Sequence, residues 1–434
     1  MRTTSFVFCA ASLLAVFSLV SIYFQYRLLH LHSSVLASKG IVPSHDIHEM
    51  NQQDYHQYQR HPKINSPKPK PPQRFFASTT AEVSVSECSP YQITALRNQL
   101  QPNNSFCFNY PWTNQCPITV QTKCPDNVWL QSFYHRRKSD TKTFLAINVG
   151  CNKGTDAVKM LHLVDPFVDL SNWRQSFAEA AAPQTVTPEV CADTSSFTQT
   201  STTGSIHSSF TLSSPEMMQV HCIEPLPVTH EVLERANSLS NYAAKGLNIH
   251  SVAISSESGT VFFPKPRQDG ELYKRVNVGT ENKGIGSCTR MDEADRVKHC
   301  IPVHVMTLDS FVAKYLPLEG TIQYILTDVE GYDFDVLLGA NNTLHRTEYL
   351  EFEFNRKDRW GLKDRSIAKA VNDLDNHGFT CYWAGVNKLW RITNCLLQEY
   401  ETAKFWSNVA CVNRKLAVDL ASEMELLFMK TVTT

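Results

Sequence analysis

Short apolar runs that alternate with helical stretches are the feature that most restricts the fold of this chain. From residue 144 onward, runs typical of buried strands are separated by segments in which apolar residues follow helical spacing. The runs are FLAINV, MQVHCIEP, LNIHSVAIS, IQYILTDV, EYLEFEF, FTCYWAG with LWRIT, and SNVACVN. Strands that alternate with helices form mostly parallel sheets covered by helices. The sequence therefore predicts an α/β fold over residues 141–415.

The regions outside this alternation have compositions of their own. Residues 28–85 are rich in His, Gln, Ser, Pro and Lys and predict a disordered stem. Residues 86–140 are predicted to form a Cys-rich N-terminal subdomain, and residues 416–434 a C-terminal tail. Within the α/β region, residues 165–218 are rich in Ser and Thr with few periodic apolar positions, which indicates a low-complexity insertion.

The N-terminus carries a candidate membrane segment. Ser5–Phe24 has no charge over 20 residues, which is the length a helix needs to cross the hydrocarbon core. A cleaved signal peptide would have a shorter apolar region with a cleavage site close behind it, whereas the best site, Val35-Leu36-Ala37, lies far downstream. We therefore expect residues 1–27 to contain a cytoplasmic tip and an uncleaved signal-anchor. A single-pass type II membrane protein facing the lumen of the Golgi or endoplasmic reticulum follows from this expectation.

The cysteines agree with a luminal location. Thirteen are present, and four of them fall within 37 residues: Cys88, Cys107, Cys116 and Cys124. Their spacings of 19, 9 and 8 fit no common zinc motif, so disulfides in an oxidising compartment are favoured, with connectivity left open. Glycosylation sequons begin at Asn103 and Asn341.

The charge balance excludes one large class of partner. With 41 basic and 42 acidic residues, the formal net charge is −1. No basic field is available to hold a polyanion across many phosphates, so nucleic acid is not expected as the primary partner.

A glycine-containing turn follows the first predicted strand. Phe144–Val149 is succeeded by Gly150-Cys151-Asn152-Lys153-Gly154 and then by a helix. Ligands of open α/β sheets bind at such turns, where glycine lets the backbone approach and the helix presents unpaired N–H groups. The spacing differs from the GxGxxG of dinucleotide-binding proteins, and glycines in such turns are equally often structural.

Glu224 is the second candidate site residue, because it follows an apolar strand in VHCIEPLP. In nucleotide-binding sheets an acid in this place accepts hydrogen bonds from ribose hydroxyls and follows the glycine turn by about 20 residues. Glu224 follows Gly150 by 74 residues, and removing the 54-residue insertion leaves 20. The alternative is a solvated carboxylate at a strand end.

Asp328 and Glu330 are the third feature, at the end of the apolar run IQYIL. Two acids at i, i+2 spacing in a strand share one face, so both are expected at the mouth of the cleft. The alternative is that an acid of this segment, Asp328 or Asp333, caps the helix that follows.

These segments together resemble the FkbM family of S-adenosylmethionine (SAM)-dependent O-methyltransferases over roughly residues 142–415. The family pattern is similar to the segments Asn148–Gly154, Glu224-Pro225, Ala253–Gly259, Thr307–Asp309, Asp328–Asp333 and Leu338–Ala340. The resemblance implies a Rossmann-like class I methyltransferase fold with a seven-stranded, mostly parallel sheet.

The resemblance also implies a role for each matching residue. Gly150, Asn152 and Gly154 would approach the methionine part of SAM, Glu224 the ribose, and Ala253 and Ile254 the adenine. Asn148 would face the amino group of SAM without a charge, because it replaces the usual Asp, and Asp333 replaces the usual Glu. Asp328 would lie near the reacting centre.

Methyl transfer to a hydroxyl needs a proton acceptor. Asp328 and Glu330 are the first candidates for this catalytic role, ahead of His304, Glu351 and Glu353. The same carboxylates could instead hold a divalent cation, but no metal site is assigned. We expect a hydroxyl acceptor, which the luminal compartment suggests is a glycan. The alternatives are a Golgi glycosyltransferase that uses Asp328-Val-Glu330 to bind a metal, and a non-catalytic binding protein on a methyltransferase fold.

Overall fold

A computed structural model describes residues 85–100, 122, 124–136, 143–182, 186, 191, 218–265, 285–354, 359–362, 364–402 and 407–433. The chain divides into two units, residues 1–77 and 78–434, and every described element belongs to the second. The predicted membrane segment Ser5–Phe24 and the stem up to residue 84 lie outside the described residues. Among the helices that are described, none combines the length and apolar character needed to span a bilayer.

The strands are β1 (Phe144–Val149), β2 (Met218–Ile223), β3 (Leu247–His250), β4 (Ala253–Ile254), β5 (Gly259–Pro264), β6 (Cys300–Met306), β7 (Ile322–Thr327), β8 (Thr347–Phe354), β9 (Phe379–Ala384), β10 (Leu389–Arg391) and β11 (Ser407–Asn413). The α-helices are α1 (Pro90–Leu100), α2 (Val128–Arg136), α3 (Thr155–Val164), α4 (Leu170–Ala181), α5 (Pro227–Ser240), α6 (Ile285–Arg290), α7 (Glu293–His299), α8 (Leu308–Tyr315), α9 (Asp333–Leu338), α10 (Asn341–Leu344), α11 (Ile367–Asn376) and α12 (Val418–Thr433).

The large sheet confirms the predicted mostly parallel α/β architecture. Its strand order is β10-β9-β11-β8-β7-β1-β2-β3. Strands β3, β2, β1, β7 and β8 are parallel to one another, and β11 runs antiparallel between β8 and β9. Strands β1 and β7 are buried along their whole length, as expected for central strands covered on both faces.

The described sheet has eight strands, so the expectation of seven was wrong. The extra strand is β10, which pairs antiparallel with β9. A short turn in which the Gly385 N–H donates to the Lys388 carbonyl reverses the chain between the two. Asn387 supports the reversal with its positive φ of 52°. The runs FTCYWAG and LWRIT therefore form a hairpin.

The segment 165–218, predicted as an insertion, contains helix α4. Asp169 caps this helix by accepting a hydrogen bond from the Ser171 N–H, and Trp173 and Phe177 are buried on one face. Helix α4 packs against α5, so the first part of the segment belongs to the core. Apart from residues 186 and 191, residues 183–217 lie outside the described part of the chain.

The predicted C-terminal tail also contributes to the core. Helix α12 buries Leu420, Met424 and Phe428 at helical spacing and packs against β10, β11 and α2. The alternation of strands ends at β11 and does not predict this apolar face. The last helix is thus part of the domain.

Disulfides join the N-terminal region to the rest of the fold. Cys88 pairs with Cys395, and Cys124 pairs with Cys191. The prediction that this cysteine cluster forms disulfides is confirmed for Cys88 and Cys124, whereas Cys107 and Cys116 lie outside the described residues. Helices α1 and α2 contribute buried residues to the same hydrophobic core as the sheet.

A smaller sheet with the order β4-β6-β5 follows β3 in the chain. Strand β5 pairs antiparallel with β6, and a disulfide joins Cys288 of α6 to Cys300 of β6. A small apolar cluster links this sheet to the residues after β2 through Leu226, Phe263 and Val303.

Candidate functional site

The candidate site lies at the end of β1, where the chain changes the side on which it adds strands to the large sheet. From β1 the chain adds β2 and β3 on one side and later β7 and β8 on the other. Open α/β sheets bind ligands outside the carboxyl ends of the strands at such a point. The turn 150–154 occupies this position.

Hydrogen bonds connect the turn to the strands on both sides. The N–H groups of Gly150 and Cys151 donate to the Ile223 carbonyl at 3.0 and 2.9 Å. On the other side, the Asp328 N–H donates to the Val149 carbonyl at 2.9 Å. The ends of β1, β2 and β7 therefore meet at this turn.

Both glycines of the turn are required by close packing and by backbone conformation. Gly150 has a φ of 82°, and a Cβ atom there would overlap the Asp328 carbonyl. Gly154 has a φ of 77°, and a Cβ atom there would overlap the Trp173 ring. Asn152 between them adopts a φ of 48°, a conformation that Asn tolerates better than most residues. The glycines thus shape the turn through contacts with protein atoms.

The helix after the turn offers hydrogen-bond donors to a ligand. Helix α3 begins at Thr155, and its N-cap, Gly154, has no side chain that could cap the first N–H groups. Helix N-termini bind anionic groups through such N–H groups and the helix dipole. A ligand carboxylate is suited to this position.

Glu224 is joined directly to the turn. Its carboxylate accepts hydrogen bonds from the N–H groups of Asn152, at 2.9 Å, and Leu226, at 2.8 Å. Burial raises the pKa of Glu224 to about 7, although both hydrogen bonds lower it. A carboxylate has about four lone-pair sites, so these two bonds leave capacity to accept from a ligand hydroxyl.

Asn148 carries a buried acceptor without a protein donor among the described residues. The side chain is 2% exposed on β1, and its Oδ1 atom has no hydrogen-bond partner. Buried polar atoms are normally hydrogen-bonded, and an exception can be explained by a missing ligand. An ammonium group would satisfy this atom.

Asp328 and Glu330 lie beyond the end of β7, so the expectation that they share one strand face was wrong. Strand β7 ends at Thr327, and the next residues form a turn in which Glu330 has a φ of 55° and Gly331 a φ of 88°. Strand alternation does not extend through such a turn. Asp328 is exposed and Glu330 is half-buried.

Glu353 at the end of β8 completes an acidic group around Asp328. The carboxyl group of Glu353 lies close enough to Asp328 for the two to influence each other's ionisation. The pKa of Glu353 is raised well above its usual value by burial and by the charges of Asp328, Asp333 and Glu330. Sequence spacing favours Asp328 and Glu330 over Glu353, because it does not show that β8 lies beside β7.

Asp333 is a buried neighbour of this acidic group. It is fully buried at the start of α9, and its Oδ1 accepts from the Thr327 hydroxyl at 2.8 Å. Burial, with a contribution from the charge of Asp328, raises the pKa of Asp333 to about 8. A neutral Asp333 at pH 7 follows from this environment.

The remaining candidates lie in different surroundings. Ala253 is half-buried on β4 and packs against the apolar cluster that contains Leu226, whereas Ile254 is buried in the main core. His304 is exposed on β6 opposite Thr260. In the described part of the chain, no three Asp, Glu, His or Cys side chains are arranged to hold a metal ion.

Glu351 belongs to a buried hydrogen-bond network. Its Oε2 accepts from the hydroxyls of Tyr324 and Tyr349 and from the Asn127 amide, at 3.0, 3.2 and 3.1 Å. Burial raises its pKa to about 7, and the donors lower it. This network occupies Glu351, which therefore serves the packing between β7, β8 and the segment before α2.

Two contributors to the turn were not predicted from the sequence. Cys151 forms a disulfide with Cys222 of β2, and Trp173 of α4 donates from Nε1 to the Lys153 carbonyl at 2.8 Å. The presence of a cysteine inside the glycine turn, with a second before Glu224, was a usable signal for the disulfide. A contact of Trp173 with the turn was not expected, because residues 165–218 were predicted to be a low-complexity insertion.

Comparison with known proteins identifies a domain family for part of the chain. Residues 207–381 match the methyltransferase FkbM domain. The match begins after β1 and the glycine turn, and includes Glu224, Ala253, Ile254, Asp328 and Glu330. A long sequence separation divides the turn from the matched residues, and the hydrogen bonds described above bring the two together. No match was found among the curated proteins.

Two solved structures are weakly similar. The methyltransferase FkbM from Methylobacillus flagellatus KT has 10% sequence identity, covers 74% of this chain and 58% of its own, and gives a TM-score of 0.34. A precorrin-6y C5,15-methyltransferase from Geobacter metallireducens GS-15 has 8% identity, covers 65% and 86%, and gives a TM-score of 0.25. The chain spans little more than half of the first structure, and neither similarity bears on its function.

Proposed function

We propose that this protein is a SAM-dependent O-methyltransferase that acts on a hydroxyl acceptor, and the match of residues 207–381 to the methyltransferase FkbM domain supports this proposal. The proposal depends on one observation. The turn 150–154, Glu224 and Asp328 lie together at the end of β1, where the chain changes the side on which it adds strands to the sheet. These groups provide hydrogen-bond donors and acceptors suited to a nucleoside that carries a charged amino-acid substituent.

The residues of the site fit SAM group by group. The buried Oδ1 of Asn148 would accept from the amino group, and the N-terminus of α3 would bind the carboxylate. Glu224 would accept from the ribose hydroxyls, and Ala253 would contact the adenine beside Leu226. The sulfonium charge also suits a site whose mouth is acidic.

SAM supplies an electrophilic methyl group, so that a C–O bond to the acceptor forms as the S–C bond breaks. The chain must align the acceptor hydroxyl and remove its proton. Asp328 is the exposed carboxylate at this position, and it accepts the proton in the proposed reaction. Glu353 and Glu330 lie beside Asp328, and their negative charges favour proton uptake by this acidic group.

A glycan hydroxyl in the secretory pathway is the proposed acceptor. Five disulfides within the described residues support an oxidising compartment: Cys88–Cys395, Cys124–Cys191, Cys151–Cys222, Cys288–Cys300 and Cys381–Cys411. Glycans carry several hydroxyl groups of the kind that the proposed reaction methylates. The proposed topology is an N-terminal anchor with the catalytic domain in the lumen.

Binding is the first test. The full chain, produced through a secretory pathway, is titrated with SAM, with its demethylated product and with a nucleotide sugar in a calorimeter. We expect heat of binding with the first two ligands. No heat with either, or binding of the nucleotide sugar alone, would refute the proposal in favour of a glycosyltransferase.

Turnover is the second test, by intact-mass detection of methyl transfer to a panel of glycans and small alcohols. Asp328→Asn should lower the rate by about 10²-fold or more with little change in SAM affinity, because it removes the proton acceptor. Asp373→Asn, which removes a carboxylate from an ion pair with Lys369 on α11, is the matched control. Full activity of Asp328→Asn would exclude Asp328 as the base, and no transfer despite SAM binding would favour a non-catalytic binding protein.

A further inference from the structure

The glycine turn contains one end of a buried disulfide. Cys151 follows Gly150 directly, and its partner Cys222 is the second-last residue of β2. Their Cα atoms are 5.3 Å apart, and the two side chains are 4% and 0% exposed. The covalent bond therefore joins the turn to the strand that leads into Glu224.

The disulfide reinforces contacts that set the position of the turn relative to Glu224. Cys151 N–H donates to the carbonyl of Ile223, the residue after Cys222, and Asn152 N–H donates to Glu224 itself. Three consecutive links thus connect the turn to the end of β2: the disulfide, a backbone hydrogen bond and a side-chain hydrogen bond. Movement of either segment alone would break the two hydrogen bonds, and the disulfide restricts such movement.

The turn has a conformation that benefits from such support. Gly150, Asn152 and Gly154 all have positive φ, and a non-glycine residue held there costs about 1 kcal/mol or more. Gly150 and Gly154 have access to more backbone conformations than other residues, so an unrestrained turn would be conformationally heterogeneous. Ordering it on ligand binding would reduce affinity, whereas a turn already fixed in the binding conformation avoids this loss.

The other described disulfides are not in the site. Cys381 and Cys411, for example, join the paired strands β9 and β11, and both are fully buried. Removing that bond changes stability without touching the turn, so it provides a matched comparison.

We propose that the Cys151–Cys222 disulfide is a positioning element of the cofactor site, which holds the turn 150–154 in the conformation that binds SAM. The proposal rests on the proposed function and identifies residues that it did not assign. It predicts that loss of the disulfide lowers SAM affinity, and that this loss of affinity is not explained by reduced stability alone.

The test compares C151A/C222A with C381A/C411A in the full chain, at a temperature where both are folded. SAM affinity should fall at least about ten-fold in C151A/C222A and stay within about two-fold of the parent in C381A/C411A, because only the first disulfide orders the site. Equal affinities in all three proteins, or equal losses in the two variants, would overturn the proposal. If C151A/C222A does not fold, C151V/C222A replaces it, since valine fills more of the vacated volume.

A second measurement reports on the turn itself. Hydrogen exchange of the backbone amides at 150–154 should be faster in C151A/C222A without ligand and unchanged in C381A/C411A. Unchanged exchange in C151A/C222A would show that the turn does not need the disulfide. A parent protein that binds no SAM but shows the exchange difference would contradict the proposed function and leave the positioning of the turn intact.

Discussion

Glu224 should make SAM binding depend on pH in the neutral range. Burial raises its pKa to about 7 in the free protein. Hydroxyl donors from a ribose would favour the charged carboxylate, so the ligand binds the deprotonated form and acidification weakens binding. If only that form binds, the dissociation constant at pH 6 should exceed that at pH 8 by about ten-fold, since about one protein in eleven is deprotonated at pH 6.

Calorimetry across this range measures the effect directly. The amino group of SAM itself titrates near pH 8, so the series is repeated with methylthioadenosine, which has the ribose but no amino acid. Glu224→Gln should bind more weakly and without the pH dependence. Asp333→Asn should retain it, because Asp333 is fully buried and is not placed against the ribose. A slope that is absent in the parent, or persists in Glu224→Gln, would refute the assignment of Glu224.

Three further predictions concern stability. Gly150→Ala should cost about 3 kcal/mol or more in chemical denaturation, because its Cβ would overlap the Asp328 carbonyl at a positive φ, whereas Gly259→Ala, with open space around the Cβ, should cost little. Glu351→Gln should raise the melting temperature at pH 8. The pKa of Glu351 is about 7 in the folded protein against a usual 4.5, so ionising the carboxyl at pH 8 destabilises the fold by up to about 3 kcal/mol. The advantage of Gln should vanish below about pH 4.5, where the carboxyl is neutral in the folded and the unfolded protein. Phe428→Ala should destabilise the domain by about 3–5 kcal/mol if α12 is part of the core, while Leu426→Ala, an exposed position on the same helix, should be nearly neutral.

The sequence predicted the central strands well because their apolar runs are short and uninterrupted. Phe144–Val149 coincides with β1, and the run IQYILTDV contains β7. The run LNIHSVAIS was less informative, since it divides into β3 in the large sheet and β4 in the small one. Which sheet a two-residue strand joins depends on partners such as β6, which are distant in sequence.

The sequence predicted which residues lie close together where backbone topology dictates their proximity, and failed to do so where local geometry decides it. The turn 150–154 and Glu224 lie together because parallel strands bring their carboxyl ends to one edge. The pairing of Asp328 with Glu353 depends on how far β8 extends beyond β7, which no spacing within either segment encodes. The positive φ of Glu330 likewise could not be inferred from strand alternation.

Asn148 shows why a departure from the family pattern need not weaken the site. An Asp at this position would be almost fully buried on β1, and desolvation would raise its pKa and favour its neutral form. A protonated carboxyl would offer a ligand ammonium little more than an amide oxygen does. Asn supplies a neutral acceptor at any pH, and the unpartnered Oδ1 remains available for a ligand donor. Asn148→Asp should therefore change SAM affinity less at pH 6 than at pH 8 in the calorimetric titration, and an equal gain at both pH values would contradict this account.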